Sequence, residues 1–348
     1  MSKTVALIGT LDTKGPEIAY LRDRCLALGL QTVVIDSGIL GSPLEIEPDF
    51  SRAVVAQAAG SSIDALRNAG SRGAAVHEMM QGVRQVVLDL YAQGRLDGAA
   101  CLGGAEGAVM GAHAMQALPV GVPKLIATPI ASGKRHFGPL IGLRDVMVIH
   151  SIVDILGLNP ISRTIFDNMA AALQGMTDHG RVIKLETDER YVAITMLGNT
   201  TRAVMAAKAR LEQAGIEAII FHSNGVGGPA MEELAEKGLF IGVIDFTTDE
   251  LADELVGGFH NGGPERLGVI GRLGLPQIVV PGCIDFTVHG PPEAVPDHLE
   301  GRPMYTHNPV FTLVRTLKPE MEELGRRFAE RLNPATGPLK IAYPTQGL

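Results

Sequence analysis

The sequence predicts an α/β protein of two Rossmann-like lobes, each a mainly parallel sheet flanked by helices. Three observations carry this expectation. Strand-like apolar runs repeatedly end in a polar or Gly-rich loop that opens a helix, the pattern of a parallel sheet covered on both faces. One strand–loop–helix–strand grammar occurs twice, in residues 4–36, TVALIGTLDTKGPEIAYLRDRCLALGLQTVVID, and in residues 192–223, VAITMLGNTTRAVMAAKARLEQAGIEAIIFHS. Gly198 there matches Gly9 in role, and Ala214-Gly215 stops the helix as Leu28-Gly29 does. A crossover of this length is what any parallel sheet requires, so shared grammar accounts for the likeness without a duplication. Finally, 42 glycines in 348 residues exceed the average share, as many strand-to-helix loops demand.

In chain order, strands are expected near residues 4–8, 31–35, 97–102, 123–127 and 145–149, with helical patterns over 15–28, within 51–93, over 106–117 and over 160–177. The last helix stops at Asp178-His179-Gly180 and is followed by the charged stretch Lys184 to Arg190, so the boundary falls at about 178–190 and the lobes are 1–180 and 181–348. The second lobe reads as strands near 192–197, 217–221, 240–244, 277–280 and 339–343, with a long helix over 319–332. Residues 281–309, PGCIDFTVHGPPEAVPDHLEGRPMYTHNP, are too apolar and too varied for a linker and read as an ordered loop over a site. The chain stops soon after its last strand, which suggests a truncated end.

Bulk properties narrow the function. With 46% hydrophobic residues each lobe has material for a core. A formal charge of -8 and a sequence pI near 5.7 argue against nucleic acid, whose phosphates demand concentrated Lys and Arg; small anions need only a few cations and a helix start. The N-terminal apolar run is too short for a signal peptide and no stretch approaches the ~20 apolar residues of a membrane span, so a cytoplasmic protein without a membrane partner is expected. Cys25, Cys101 and Cys283 form no CxxC pair, and Cys25 and Cys101 sit within apolar patterns as small core residues.

Several loops gather chemistry. Ile219-Ile220-Phe221 leads into His222, Asn224 and glycines 225, 227 and 228; Ile241 to Ile244 leads into Asp245, Thr247 and Thr248 and then a helix rich in early acids. With Glu232, Asp285, His289 and His307 these could converge at strand ends as acid–base groups, whereas no HExxH or similar tight pair supports a metal. His222, Asp245 and His307 form the preferred catalytic set, with Glu250 and Asp285 beside them. Taken singly, each also reads as a cap or loop hydrogen bond.

In the first lobe, Thr10, Asp12, Thr13 and Lys14 open the first helix with hydroxyls, a carboxylate and an amine suited to a phosphate and its Mg²⁺. This is not a Walker A loop, because Lys14 precedes its glycine; a helix cap with a solvated lysine is the plain alternative. Gly103-Gly104-Ala105-Glu106-Gly107 follows the third strand and lets a ligand approach the backbone. Glu106 there would repel a phosphate unless Mg²⁺ intervenes, accept from a ribose hydroxyl, or simply favour the helix start. Ala131-Ser132-Gly133, followed by Lys134, Arg135 and His136, suits a triphosphate or is a solvated basic loop.

These segments also match, in order, one family. Gly9-Thr10-Leu11-Asp12-Thr13-Lys14-Gly15, Leu118-Pro119-Val120-Gly121-Val122-Pro123-Lys124 and Ala131-Ser132-Gly133 in the first half, and Phe221-His222, Gly225-Val226-Gly227-Gly228, Met231-Glu232-Glu233-Leu234, Thr247-Thr248, Pro281-Gly282, His307-Asn308-Pro309 and Arg315-Thr316 in the second, resemble the tomato-mosaic-virus-resistance-protein-like ATP-binding proteins over essentially the whole chain. The resemblance implies two Rossmann-like lobes, an ATP site with Mg²⁺ in the first of them, and self-association into a homo-oligomer. It implies no settled reaction. Where relatives look like Gly-Gly-Ser-Gly-Gly-Thr, this chain has Gly103-Gly104-Ala105-Glu106-Gly107-Ala108, which removes two hydroxyls and adds a carboxylate, so a lowered nucleotide affinity is expected. Relatives also continue past the position of Leu348. The function expected is an ATP-binding cytoplasmic enzyme acting on a small polar or carboxylate metabolite in the cleft between lobes. A nonenzymatic nucleotide-responsive module recognised by a protein partner, and an enzyme that has lost its nucleotide, are the alternatives.

Overall fold

The computed structural model describes residues 2–131, 138–183 and 189–345. The chain divides into two compact units, Met1–Ile183 and Lys184–Leu348. In unit 1, β1 (Thr4–Gly9), α1 (Leu11–Ala27), β2 (Gln31–Asp36), α2 (Arg52–Ala58), α3 (Ile63–Arg67), α4 (Arg72–Ala92), β3 (Gly98–Leu102), α5 (Ala105–Gln116), β4 (Lys124–Thr128), α6 (Gly138–Ile141), β5 (Met147–His150) and α7 (Pro160–His179) follow one another. The strands form one sheet in the order β2-β1-β3-β4-β5, every pair parallel. Alternate residues serve opposite faces: Ala6, Ile8, Ala99, Cys101 and Ile126 pack toward α2–α5, while Val5, Leu7, Ala100, Leu102 and Leu125 pack toward α1 and α7. A strand buried on both faces has no polar side, which is why the sequence shows continuous apolar runs.

The helical pattern within 51–93 resolves into three helices, because Gly60-Ser61-Ser62 and Ala69-Gly70-Ser71 interrupt it. Each new start is capped by serine: the Oγ atoms of Ser51, Ser62 and Ser71 accept from the backbone N–H of Val54, Ala65 and Ala74 at 3.5, 3.2 and 3.1 Å.

Unit 2 contains β6 (Tyr191–Met196), α8 (Thr201–Gln213), β7 (Glu217–His222), α9 (Gly227–Glu236), β8 (Gly242–Thr247), α10 (Asp249–Val256), α11 (Gly268–Arg272), β9 (Gln277–Gly282), β10 (Phe286–His289), β11 (Met304–Asn308), β12 (Phe311–Arg315), α12 (Lys318–Leu332) and β13 (Leu339–Ile341). Its main sheet is β7-β6-β8-β9-β13, also parallel throughout, so by rank along the chain the strand order repeats that of unit 1. The expected fold class is the observed one. The register refines the internal likeness: Gly9 lies opposite Asp36 and Met196 opposite His222, so Met196, and not Gly198, is the counterpart of Gly9.

Residues 281–309 are not a loop. They carry β10, two 3₁₀ turns and β11, and with β12 build a three-stranded antiparallel sheet in the order β10-β12-β11. Phe286 and Val288 anchor it in a small apolar cluster with Cys283. Among the described residues no helix is long and apolar enough to cross a membrane.

Candidate functional site

In unit 1 the chain runs from β1 to β2 on one side and then returns to β3 on the other, so the carboxyl ends of β1 and β3 flank a topological switch point, where open parallel sheets hold ligands. A cavity of about 640 Å³ lies there, a size suited to a small-molecule site. Thr10, Asp12, Thr13 and Lys14 line it from the start of α1, and Gly104, Ala105, Glu106 and Gly107 from the start of α5. The chain beyond β2 adds Ser37, Gly38, Ile39 and Leu40; α3, α4 and α5 add Leu66, Arg67, Ser71, Arg72, Val76 and Met110.

Neither Thr10 before α1 nor Gly104 before α5 caps its helix with a side chain, although Asp36 Oδ1 accepts from the first N–H of α1, that of Leu11, at 3.2 Å. The two glycines before α5 do different work. A β-carbon at Gly103 would lie 2.6 Å from the Ala108 nitrogen, which only a glycine avoids; at Gly104 it would meet nothing within 4 Å, so the space belongs to the cavity.

The polar wall is partly engaged. Thr10 and Thr13 hydroxyls share a hydrogen bond of 2.9 Å, Asp12 Oδ2 accepts from Gly41 N at 2.9 Å, and Lys14 Nζ donates to the Ile155 carbonyl. Glu106 Oε2 accepts from Arg72 Nε at 3.0 Å and Nη2 at 2.7 Å, so a cation accompanies the carboxylate that the sequence reading set against phosphate. Ala131 is buried and does not line the cavity, and Ser132 and Gly133 lie outside the described residues.

Sequence reasoning missed Ser37, Arg67 and Arg72. Asp36-Ser37-Gly38 follows the second strand, the position at which βαβ nucleotide sites place a polar reader, and that spacing was available. Asp36 itself faces the fold: Oδ1 accepts from Leu11 N at 3.2 Å and Gly38 N at 2.9 Å, and Oδ2 from Arg52 Nε at 2.8 Å. The arginines were hidden within a stretch read simply as helical.

The equivalent place in unit 2, at the carboxyl ends of β6 and β8, is filled with charge. Arg266 is fully buried and donates from Nη2 to Asp245 at 2.5 Å, from Nε to Glu250 at 2.6 Å and from Nη1 to Glu232 at 3.2 Å. One guanidinium facing three carboxylates favours a proton on the most distant acid. Burial indeed pushes Glu232 up to about 7, against the pull of Arg266. The Gly-rich turn before α9 is an anion nest, and Glu250 Oε1 fills it, accepting from the N–H groups of Asn224, Gly225 and Gly228 at 3.2, 2.8 and 3.1 Å. Asp249, also buried, accepts from Ser223 Oγ at 2.5 Å and binds His260 Nδ1 at 2.8 Å. Burial opposes charge on His260, but the hydrogen bond and charge of Asp249 outweigh it and raise its pKa; burial likewise pushes Asp253 up to about 7.

Asp245 and Glu250 are therefore fully buried partners of Arg266. His222 does not end a buried strand: β7 is an edge strand and His222 is exposed, because β6 covers only one side of it. His307 is exposed on β11, its ring 6.4 Å from that of Tyr305, and Asp285 pairs with Arg315 at 2.8 Å on the surface. Among the described residues no hydrogen bond joins His222, Asp245 and His307.

Comparison with known proteins gives the family. The N-terminal domain of the uncharacterised protein family UPF0261 matches residues 3–182 and its C-terminal domain residues 189–348, and the chain belongs to that family. A UPF0261 protein of Clostridium tetani is 40% identical over 348 residues, covering 100% of this chain and 85% of the relative. The ToMV susceptible protein tm-1(GCR26) of Solanum lycopersicum is 30% identical over 369 residues, covering 100% of this chain and 48% of that protein. The crystal structure of a UDP-N-acetylglucosamine 2-epimerase aligns at a TM-score of 0.27 and 11% identity, over 80% of this chain and 79% of its own, a likeness too loose to carry any inference.

Proposed function

With membership of this family as the premise, we propose that unit 1 binds ATP with Mg²⁺ in the cavity at the β1–β3 switch point. The observation that carries the reading is that two helices whose N-cap residues offer no side-chain cap, α1 and α5, open on one cavity that Ile39, Leu66, Val76 and Met110 also line. Phosphates take the helix starts and the base takes the side made by Ile39, Leu66, Val76 and Met110. Lys14 exchanges the Ile155 carbonyl for a phosphate oxygen, a charge-assisted bond. Mg²⁺ arrives on the phosphates, with Asp12, which lines the cavity, as the neighbouring carboxylate.

The proposal extends to a cytoplasmic homo-oligomeric enzyme in which ATP serves a reaction on a small polar or carboxylate metabolite, by phosphoryl transfer or another use of the nucleotide. One observation favours a second reading, a nonenzymatic nucleotide-responsive module: Asp245 and Glu250, expected to do chemistry, are committed to Arg266. A thermal-shift panel of nucleotides with and without Mg²⁺ tests the binding, since a ligand at 100 times its Kd stabilises the fold by about 2.7 kcal/mol. No shift with any nucleoside triphosphate would end the proposal. ATP consumption dependent on a metabolite separates the enzyme from the module.

A further inference from the structure

The wall of the unit 1 cavity beyond β2 holds a polar side chain for which the fold provides no partner. Ser37 borders the cavity, is fully buried, and its Oγ makes no hydrogen bond. Behind Gly38, which also borders the cavity, Arg52 gives Nε to Asp36 and Nη1 to the Gly41 carbonyl, and a β-carbon at Gly38 would lie 2.6 Å from Arg52 Nη2, so Arg52 fills that space. An unmatched buried donor or acceptor costs on the order of 1–3 kcal/mol, and folded proteins keep few of them. Unit 2 shows how the fold settles the same position when nothing is to be bound. Ser223 stands where Ser37 stands, its N–H donating to Met196 O at 2.8 Å as that of Ser37 does to Gly9 O at 2.9 Å, but its Oγ is hydrogen-bonded to Asp249.

The end of the second strand is where nucleotide sites of this topology read ribose hydroxyls, commonly with an acid. Asp36 occupies that place but is turned into the fold by Leu11, Gly38 and Arg52. A hydroxyl that both donates and accepts complements a ribose hydroxyl. We propose that Ser37 Oγ is a ribose-hydroxyl subsite that makes the cavity select ribonucleotides over deoxyribonucleotides. This rests on the nucleotide reading above and adds a specificity to it.

The test is calorimetric titration of ATP, 2′-deoxyATP and 3′-deoxyATP, each with Mg²⁺, into the wild-type chain and the Ser37→Ala variant. The wild type binds at least one deoxy analogue on the order of tenfold more weakly than ATP. Ser37→Ala lowers ATP affinity to that of the analogue without lowering the unliganded melting temperature, because the lost hydroxyl bonds nothing in the fold. Equal affinities within about twofold in the wild type, or a Ser37→Ala chain that keeps its discrimination or weakens all three alike, overturn the subsite while leaving ATP binding intact. Failure of every nucleotide to bind removes the nucleotide reading and the subsite together.

Discussion

The β1–β3 crevice of unit 1 and the β6–β8 crevice of unit 2 occupy the same switch point of the same strand order, yet one is a cavity and the other is closed by buried charge. The second residue of the helix that follows is a glutamate in both, Glu106 in α5 and Glu250 in α10. Glu106 reaches Arg72 on the surface, whereas Glu250 turns inward to the glycine nest before α9 and to Arg266. The surroundings of each acid differ. The start of α4 is capped by its own Ser71, whereas the N–H groups at the start of α9 are shared between Asn224 Oδ1, which takes those of Val226 and Gly227, and Glu250 Oε1, which takes those of Asn224, Gly225 and Gly228.

The largest effect that would break this comparison is in unit 2. Arg266→Met strands Asp245, Glu250 and Glu232 without their cation, and unit 2 should lose about 3–5 kcal/mol in urea denaturation. A loss below about 1 kcal/mol would mean that the network does not hold the crevice shut. In unit 1 the matching change is one of affinity: Lys14→Ala should weaken ATP binding by about 1.5–3 kcal/mol by calorimetry, and unchanged affinity removes its amine from the site.

Proton linkage sharpens the contrast. Glu232 and Asp253 are raised to about 7 from 4.5 and 3.8, so between those limits the folded state holds protons that the unfolded chain has released, and stability falls as pH rises. His260, raised from 6.5, adds stability that is present below that value and lost as pH rises through its folded pKa, which is the same direction. The denaturation midpoint of unit 2 should be higher at pH 5 than at pH 8, and the reverse trend would contradict the placement of these groups. The smallest effect concerns the departure at α5. Ala105→Ser with Glu106→Gly restores a hydroxyl and removes a carboxylate already paired with Arg72, so ATP binding should tighten by only about 0.5–1 kcal/mol. Weaker binding would instead make Glu106 a partner of the ligand or its metal.

The two parallel sheets were legible because strands buried on both faces, such as Gly98–Leu102 and Lys124–Thr128, read as unbroken apolar runs bounded by glycine and proline. The antiparallel sheet was not. Its strands are short, and Gly290-Pro291-Pro292 breaks the pattern after β10 and disguises β11 as loop. The loops after β1 and β3 could be placed at one site because each directly follows a strand. Arg72 could not, since it shows its worth only through its reach to Glu106; Ser37 could have been, from its place after the second strand, but its unpartnered hydroxyl shows only in the fold. The acids of unit 2 misled for a related reason: Arg266 lies far along the chain from Glu232, and nothing in local sequence announces that they meet in a core.

The most direct test of the central claim, that the open crevice is the nucleotide site and the closed one is not, is calorimetric titration of ATP with Mg²⁺ into the wild type and a Gly104→Leu variant. A side chain at residue 104 enters open space on the cavity wall, so it should fill the site without disturbing the fold. The account predicts saturation at one nucleotide per wild-type chain and no measurable binding to Gly104→Leu, with equal melting temperatures for the two unliganded proteins. Binding to Gly104→Leu with wild-type affinity, or saturation at two nucleotides per chain, would contradict it.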